Sequence, residues 1–237
     1  MGGGPLSVVI PTLDAAATLP ATLAGLAPAR AAGLVRETLV VDGGSHDDTA
    51  QVAARAGARV LAAPRGRGSQ LAAGAEAVEG DWLLFLHADT VLDAGWAAAA
   101  RAFIARPDAA ARAAAFRFAL DDPDPRARRI ERMVRWRVRV LGLSYGDQGL
   151  LISRALYREV GGYRPLPLME DVDMVRRLGR ARLVVLDAAA LTSAARYRRD
   201  GWWRRPARNL LVLGLHYLGV PPGLLRRLYE WPRARTS

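Results

Sequence analysis

The stretch Trp82-Leu83-Leu84-Phe85-Leu86-His87-Ala88-Asp89-Thr90 decides the architecture. Its apolar run leaves no side open to water and ends abruptly in a histidine and a carboxylate. A parallel strand covered by helices on both faces reads this way, because only its end reaches solvent. Open α/β sheets bind ligands at the carboxyl ends of such strands. Asp89 therefore stands where a cation or a phosphate is handled.

Working outward, Leu6-Ser7-Val8-Val9-Ile10, Thr38 to Val41 and Arg59-Val60-Leu61 are further short apolar runs that predict strands. Thr18 before Leu19-Pro20 marks a helix running towards Ala31, which Pro28 should end or kink. A basic loop, Pro64 to Gly68, leads into a helix over Ser69 to Val78, and Ala94 to Arg106 is a helix closed by Pro107. Ala113 to Leu120 predicts another strand. Alternation this regular argues for an α/β layer fold with a mostly parallel sheet and helices on both faces.

After Asp121-Asp122-Pro123-Asp124-Pro125 the character changes. Arg126 to Leu141 predicts a helix with arginine at seven positions and Ile130, Met133, Val134, Val138 and Leu141 on a rough apolar stripe. Gly146 to Gly149 is a turn, Leu150 to Ser153 a short strand, Met169 to Met174 the entry of a helix ending near Gly179, and Arg182 to Leu186 a last strand. The tail is basic from Arg196 to Arg208 with Trp202 and Trp203, apolar from Asn209 to Val220, and resumes after Pro221-Pro222 at Leu224 to Tyr229.

Composition sets bounds. A chain of 237 residues, 51% hydrophobic, can build one sizeable core with an attached segment. The absence of cysteine excludes a disulfide framework and a thiolate metal site, and fits a reducing compartment. Leu6 to Ile10 is too short for an export signal. No run reaches the roughly 18–20 apolar residues that cross a bilayer. The formal charge of +11, carried by arginine, suits nucleic acid, an anionic membrane or a phosphorylated substrate.

Several residues allow two readings. Asp89 is a strand-end turn residue or an oxygen ligand for a divalent cation bridging a diphosphate. His87 is structural or shares that edge. Asp42, followed by Gly43-Gly44, stabilises a turn or accepts hydrogen bonds from a nucleoside. Arg65 and Arg67 form a phosphate clamp or a solvated loop. Glu170, Asp171 and Asp173 favour a helix start, or crowd until one becomes a base for a hydroxyl proton. Arg176, one turn beyond Asp173, holds an acidic side chain or meets phosphate.

Taken in order, Pro11-Thr12-Leu13-Asp14, Asp42-Gly43-Gly44-Ser45-His46-Asp47-Asp48-Thr49, His87-Ala88-Asp89, Gly161-Gly162-Tyr163 and Glu170-Asp171-Val172-Asp173 resemble the family 2 glycosyltransferases, over roughly Leu6 to Leu186. Within these the chain is most similar to the small bacterial arsenosugar-biosynthesis-type group, whose basic tail resembles Tyr197 to Trp203. The resemblance implies the GT-A fold with a Rossmann-like central sheet. It divides the chain into a glycosyltransferase domain over 1–190 and a basic, Trp-rich helical tail over 191–237. The nucleotide-binding half spans about 6–120 and the acceptor-side half about 121–190.

It also implies roles. Pro11, Thr12, Asp14 and Asp42 would surround the nucleoside, with Arg65 or Arg67 on nucleotide or phosphate. Asp89 would bind Mg²⁺ or Mn²⁺ on the diphosphate. Asp171, with Glu170 beside it, would be the general base. His87, Gln148, Asp173 and Arg176 would lie on the sugar or acceptor side. The implied reaction is inverting, hexosyltransferase-like displacement from a nucleotide sugar, UDP-linked first, to a small-molecule or lipid hydroxyl.

Two departures stand out. The family's Pro-Thr-x-Asn-Glu opening is here Pro-Thr-Leu-Asp-Ala, and the first Asp of its metal motif is His87. Sugar-1-phosphate nucleotidyltransfer is the enzymatic alternative, although its glycine-rich amino-terminal signature is missing. A basic nucleic-acid-binding module is the alternative of another class, with no recognition motif to support it. The arginine-rich helix and the tryptophan-bearing tail suit either an anionic bilayer or packing within the fold or a dimer. The expected location is cytoplasmic, at the membrane face if these segments dock.

Overall fold

The computed structural model describes residues 4–142, 144, 146–221, 223–225 and 228. The side chains of Leu141 and Arg196, and residues Met1, Pro222, Arg226, Arg227 and Tyr229, lie outside the described set. Four strands, β1 (Leu6–Thr12), β2 (Val35–Asp42), β3 (Arg59–Ala62) and β4 (Trp82–Phe85), run parallel in the order β3-β2-β1-β4. Side chains alternate across the pleat. Val8 and Ile10 enter a core with α1 (Leu19–Ala31), α2 (Thr49–Arg55) and α4 (Trp96–Ile104), while Val9, Leu39 and Val41 face α3 (Arg67–Ala77). β1 and β4 are buried along their whole length, and burial on both faces explains their mainly apolar sequences. By contrast, β2 carries the polar Arg36 and Glu37 near its start, and β3, at the sheet edge, is largely exposed.

The second half of the sheet mixes directions. β4 pairs antiparallel with β7 (Leu150–Ser153), β7 antiparallel with β6 (Ala113–Leu120), β6 parallel with β8 (Leu183–Thr192), and β8 antiparallel with β5 (Thr90–Leu92). The complete order is β3-β2-β1-β4-β7-β6-β8-β5. All four parallel strands of the first half end at one edge, which gathers Thr12, Asp42 and the His87–Asp89 turn.

Several element boundaries differ from expectation, while α1 runs to Ala31 as expected. Of the two expected effects of Pro28, ending α1 does not occur: the proline lies inside the helix on its exposed side, while Leu19, Leu23, Leu26 and Ala29 hold the other face. α3 begins at Arg67, before Ser69. β8 extends to Thr192 because it is paired on both sides, by β6 and β5.

Beyond β6, α5 (Pro125–Leu141) starts at an Asp124 cap whose carboxylate accepts the Arg126 N–H at 2.7 Å, and ends at left-handed Gly142. Ile130, Val134 and Val138 pack with Phe118, Leu120, Tyr197 and Trp202 in a separate small core. Met133, assigned to the same stripe from sequence, faces outward instead. After the short α6 (Arg154–Glu159) come α7 (Glu170–Leu178), α8 (Ala195–Asp200) and α9 (Arg204–Tyr217). Val212 and Leu213 of α9 pack against Leu168, Met169 and Val172 at the start of α7. No helix among the described residues is long and apolar enough to cross a membrane.

Candidate active site

The tips of β1 and β2 are tied together by polar side chains. Asp42 accepts from Thr12 Oγ1 at 3.1 Å, from the N–H groups of Gly44 (3.1 Å) and Ser45 (2.9 Å), and from Ser45 Oγ. Burial is the largest single influence on its carboxyl and pushes the pKa up, but the bonds from Ser45, Thr12 and Gly44 together bring it below the ordinary carboxylate value. Pro11 lacks a donor for the ladder, yet it is tolerated because pairing between β1 and β4 has already stopped at Val9.

Asp14 takes the left-handed conformation, φ 50°, which aspartate tolerates. Its Oδ1 accepts the His46 N–H at 2.8 Å and its own N–H donates to Ser45 Oγ at 2.9 Å. Ala15, at the family's acidic position, is buried and donates its N–H to Thr49 Oγ1 at 2.8 Å.

Asp89 lies half-buried in the turn after β4, closed by Thr90 N–H on the His87 carbonyl at 3.2 Å and held to α1 by Thr22 Oγ1 on the Ala88 carbonyl at 3.0 Å. The described residues contain no group of three or more His, Asp or Glu side chains that would hold a metal alone. One carboxylate at an open turn still fits Mg²⁺ or Mn²⁺, which take one or two carboxylates together with phosphate oxygens and water.

The start of α7 faces this turn. Met169 has φ 67°, a strained backbone for a side-chain-bearing residue, and leads into Glu170-Asp171. Glu170 is buried, with Arg67 Nε 2.8 Å from its Oε1, and Arg67 reaches within 3.5 Å of His87 Nε2. Burial raises the Glu170 pKa, Arg67 opposes the rise, and the charge of Asp171 adds to it. Asp171 is only half-buried, and its Oδ2 accepts the Gly146 N–H at 2.9 Å. Gly146 has no room for a side chain: a Cβ there would lie 2.4 Å from His87 Nε2. Arg67, His87, Gly146, Glu170 and Asp171 thus form one contiguous group.

The remaining residues are disposed differently. Asp173 is bonded by Arg177 (2.7 Å) and Arg164 (3.3 Å), so the expected Arg176 partnership is replaced by the i,i+4 one. Arg176 lies over the Tyr217 ring at 4.9 Å, facing α9. Gln148 is buried and donates to the Phe116 carbonyl at 3.0 Å, while its Oε1 has no partner among the described residues. Arg65 is exposed and makes no ion pair among the described residues.

The model of Glycosyl transferase family 2 matches residues 7–160. The chain belongs to this family. Over 96 residues it is 43% identical to an uncharacterized glycosyltransferase of Mycobacterium tuberculosis, covering 40% of this chain and 41% of that one. Over 98 residues it is 34% identical to a glucosyl-3-phosphoglycerate synthase of the same species, covering 38% and 30%. These matches span less than half of either relative. The solved structure of that synthase with Mn²⁺, UDP-glucose and phosphoglyceric acid superposes with a TM-score of 0.57 at 23% identity, over 81% of this chain and 71% of that one, which shows a shared GT-A fold.

Two contributors to the candidate site escape sequence reasoning. Gln70, buried in α3, donates through Nε2 to both the Thr12 and Val41 carbonyls at 2.8 Å, fastening the tips of β1 and β2. Gly146 supplies a backbone N–H to Asp171, and its sequence signal is only that of a turn.

Proposed function

We propose that this chain moves a sugar from a nucleotide-diphosphate sugar, UDP-linked first, to an acceptor hydroxyl with inversion at the anomeric carbon. The observation that carries the reading is the Asp171 carboxylate, fixed by the Gly146 N–H at 2.9 Å in the group that includes His87 at the end of β4. Asp171 takes the acceptor proton as the acceptor oxygen bonds to the sugar C1. The bond from C1 to the diphosphate breaks, and its electron pair leaves with the diphosphate. Glu170, buried against Arg67, positions the helix start and does not meet the acceptor.

Pro11, Thr12, Asp14 and Asp42 form the nucleoside edge, Arg65 is the exposed cation for phosphate, and Gln148 lines the sugar side. Asp89, with the donor diphosphate, would hold Mg²⁺ or Mn²⁺, which would offset charge on the leaving group. The synthase structure with Mn²⁺ and UDP-glucose supports UDP-glucose as the first donor to test, and its bound phosphoglyceric acid supports testing small hydroxyl-bearing acids as acceptors. Family membership favours glycosyl transfer over nucleotidyl transfer and over nucleic-acid binding. The acceptor is a small molecule or a lipid headgroup, met at the cytoplasmic face of an anionic membrane.

The test is a panel of UDP- and GDP-sugars with Mg²⁺ or Mn²⁺, scored for binding and for slow donor hydrolysis. Asp89→Ala should lose metal-dependent donor binding. Asp171→Ala should keep binding and lose about 10²–10⁴-fold in rate. If no sugar nucleotide binds with either metal, the reading is overturned.

A further inference from the structure

α5 has two unlike faces. Ile130, Val134 and Val138 face inward to the small core, whereas Trp136 is 61% exposed, Met133 43% and Val140 42%. Positions 133, 136 and 140 fall on one side of a helix and form a single outward ridge. Arg129, Arg132, Arg135 and Arg139 are exposed around it, without ion pairs among the described residues. The only acid of the helix, Glu131, is buried and taken up by the Leu120 N–H (2.8 Å) and Arg128 (2.7 Å). The outward face is therefore cationic and apolar, with no negative charge.

We propose that this face docks onto an anionic phospholipid surface. Trp136, Met133 and Val140 enter the boundary between headgroups and acyl chains, and the four arginines extend to lipid phosphates. Charge complementarity selects this occupant: a second copy paired through the same face would set arginine against arginine. The docking deepens the proposed membrane placement and is independent of the chemistry at Asp171. It also has a consequence for the acceptor. The chain leaves α5 at Gly142 and reaches Gly146, whose N–H holds Asp171. A hydroxyl carried at the bilayer surface would thus be delivered on the side of the base.

The experiment is co-sedimentation of the full chain with phosphatidylglycerol/phosphatidylcholine vesicles and with phosphatidylcholine vesicles alone, with binding of the UDP- and GDP-sugar panel, with Mg²⁺ or Mn²⁺, measured on the same samples. Wild type should bind the anionic vesicles, more weakly as salt rises. Arg132→Gln with Arg139→Gln should weaken binding about 25-fold, at about fivefold per charge, and Met133→Ser with Trp136→Ser should weaken it comparably. Trp136→Phe, which conserves the ridge, should still bind but lose the blue shift of tryptophan emission on docking. Equal binding to neutral vesicles, undiminished binding in both double variants, or preference for an oligonucleotide duplex would each overturn the proposal. Vesicle docking without sugar-nucleotide binding would uphold it and overturn the transferase reading, and the reverse would overturn the docking alone.

Discussion

Asp42 and Glu170 are carboxylates on opposite walls of the same sheet edge, and they are held in opposite ways. Asp42 is met by four donors from its own turn and from Thr12, so its charged form is stabilised and its pKa lies low. Glu170 is buried more deeply and has one ionic partner, Arg67, so burial wins and its pKa lies high. The wall proposed to meet the nucleoside is thus held by bonds within the chain itself. The wall with the proposed base is held by Arg67 on Glu170, the Gly146 N–H on Asp171, a strained Met169 and the packing of α9 behind it.

The sharpest way to break that comparison is Gly146→Ala. The new Cβ would meet His87 Nε2 at 2.4 Å, and either the ring or the N–H bonded to Asp171 must move. A displacement near 1 Å at the base costs about 10²-fold in kcat, while donor affinity, set on the other wall, should stay within a factor of a few. His87→Ala removes the obstacle, so Gly146→Ala should cost far less in that background than in the wild type. Equal costs in the two backgrounds would show that His87 does not shape the base wall.

The two walls also differ in how legible they are in sequence. β1, β2, β3 and β4 announce themselves as apolar runs, and Asp42 and Asp89 follow directly because each ends or follows such a run. β5 and α6 are too short to show a period: the three residues of β5 are strand only because β8 lies beside them. On the base wall, Asp171 and Glu170 are visible as an acidic pair, but what holds them is not. The Arg67–Glu170 pair joins segments distant in sequence, and the Gly146 contribution is a backbone N–H, which no side chain advertises. Arg176 and Arg177 stand at i+3 and i+4 from Asp173, and only the folded helix decides for the second. That Pro28 does not end α1 has a related reason, since tertiary burial of one face outweighs a local penalty on the other.

A smaller effect sharpens the comparison from the nucleoside side. Gln70→Leu removes the donor shared by the Thr12 and Val41 carbonyls and leaves both buried without that partner. A cost of about 1–3 kcal/mol in unfolding free energy is expected, read by denaturant titration. Donor affinity should weaken with it, because the tips of β1 and β2 carry Thr12 and Asp42. Transfer from saturating donor should fall little, since Gln70 does not touch the base wall.

The smallest effect is the most diagnostic, because the two carboxylates link stability to pH with opposite sign. Asp42 has a depressed pKa, so its contribution is present above the ordinary carboxylate value and is lost as pH falls through its folded pKa. Glu170 has a raised pKa, so the folded state binds its proton more tightly than the unfolded chain does. Stability then declines as pH rises from 4.5, the ordinary value, through the higher folded one. Asp42→Asn should make the acid limb of a stability–pH curve, measured by thermal unfolding, shallower without abolishing it, because Glu37, Asp47, Asp108, Asp122 and Asp124 are held low as well. Glu170→Gln should remove the decline above it. Arg67→Met takes away the one influence that holds the Glu170 pKa down by charge, so the decline should run to higher pH than in the wild type. If Arg67→Met leaves that limb unchanged, the Arg67–Glu170 pair does not set the Glu170 pKa, and the α7 start is held by the Gly146 N–H on Asp171, the Met169 backbone and α9 instead.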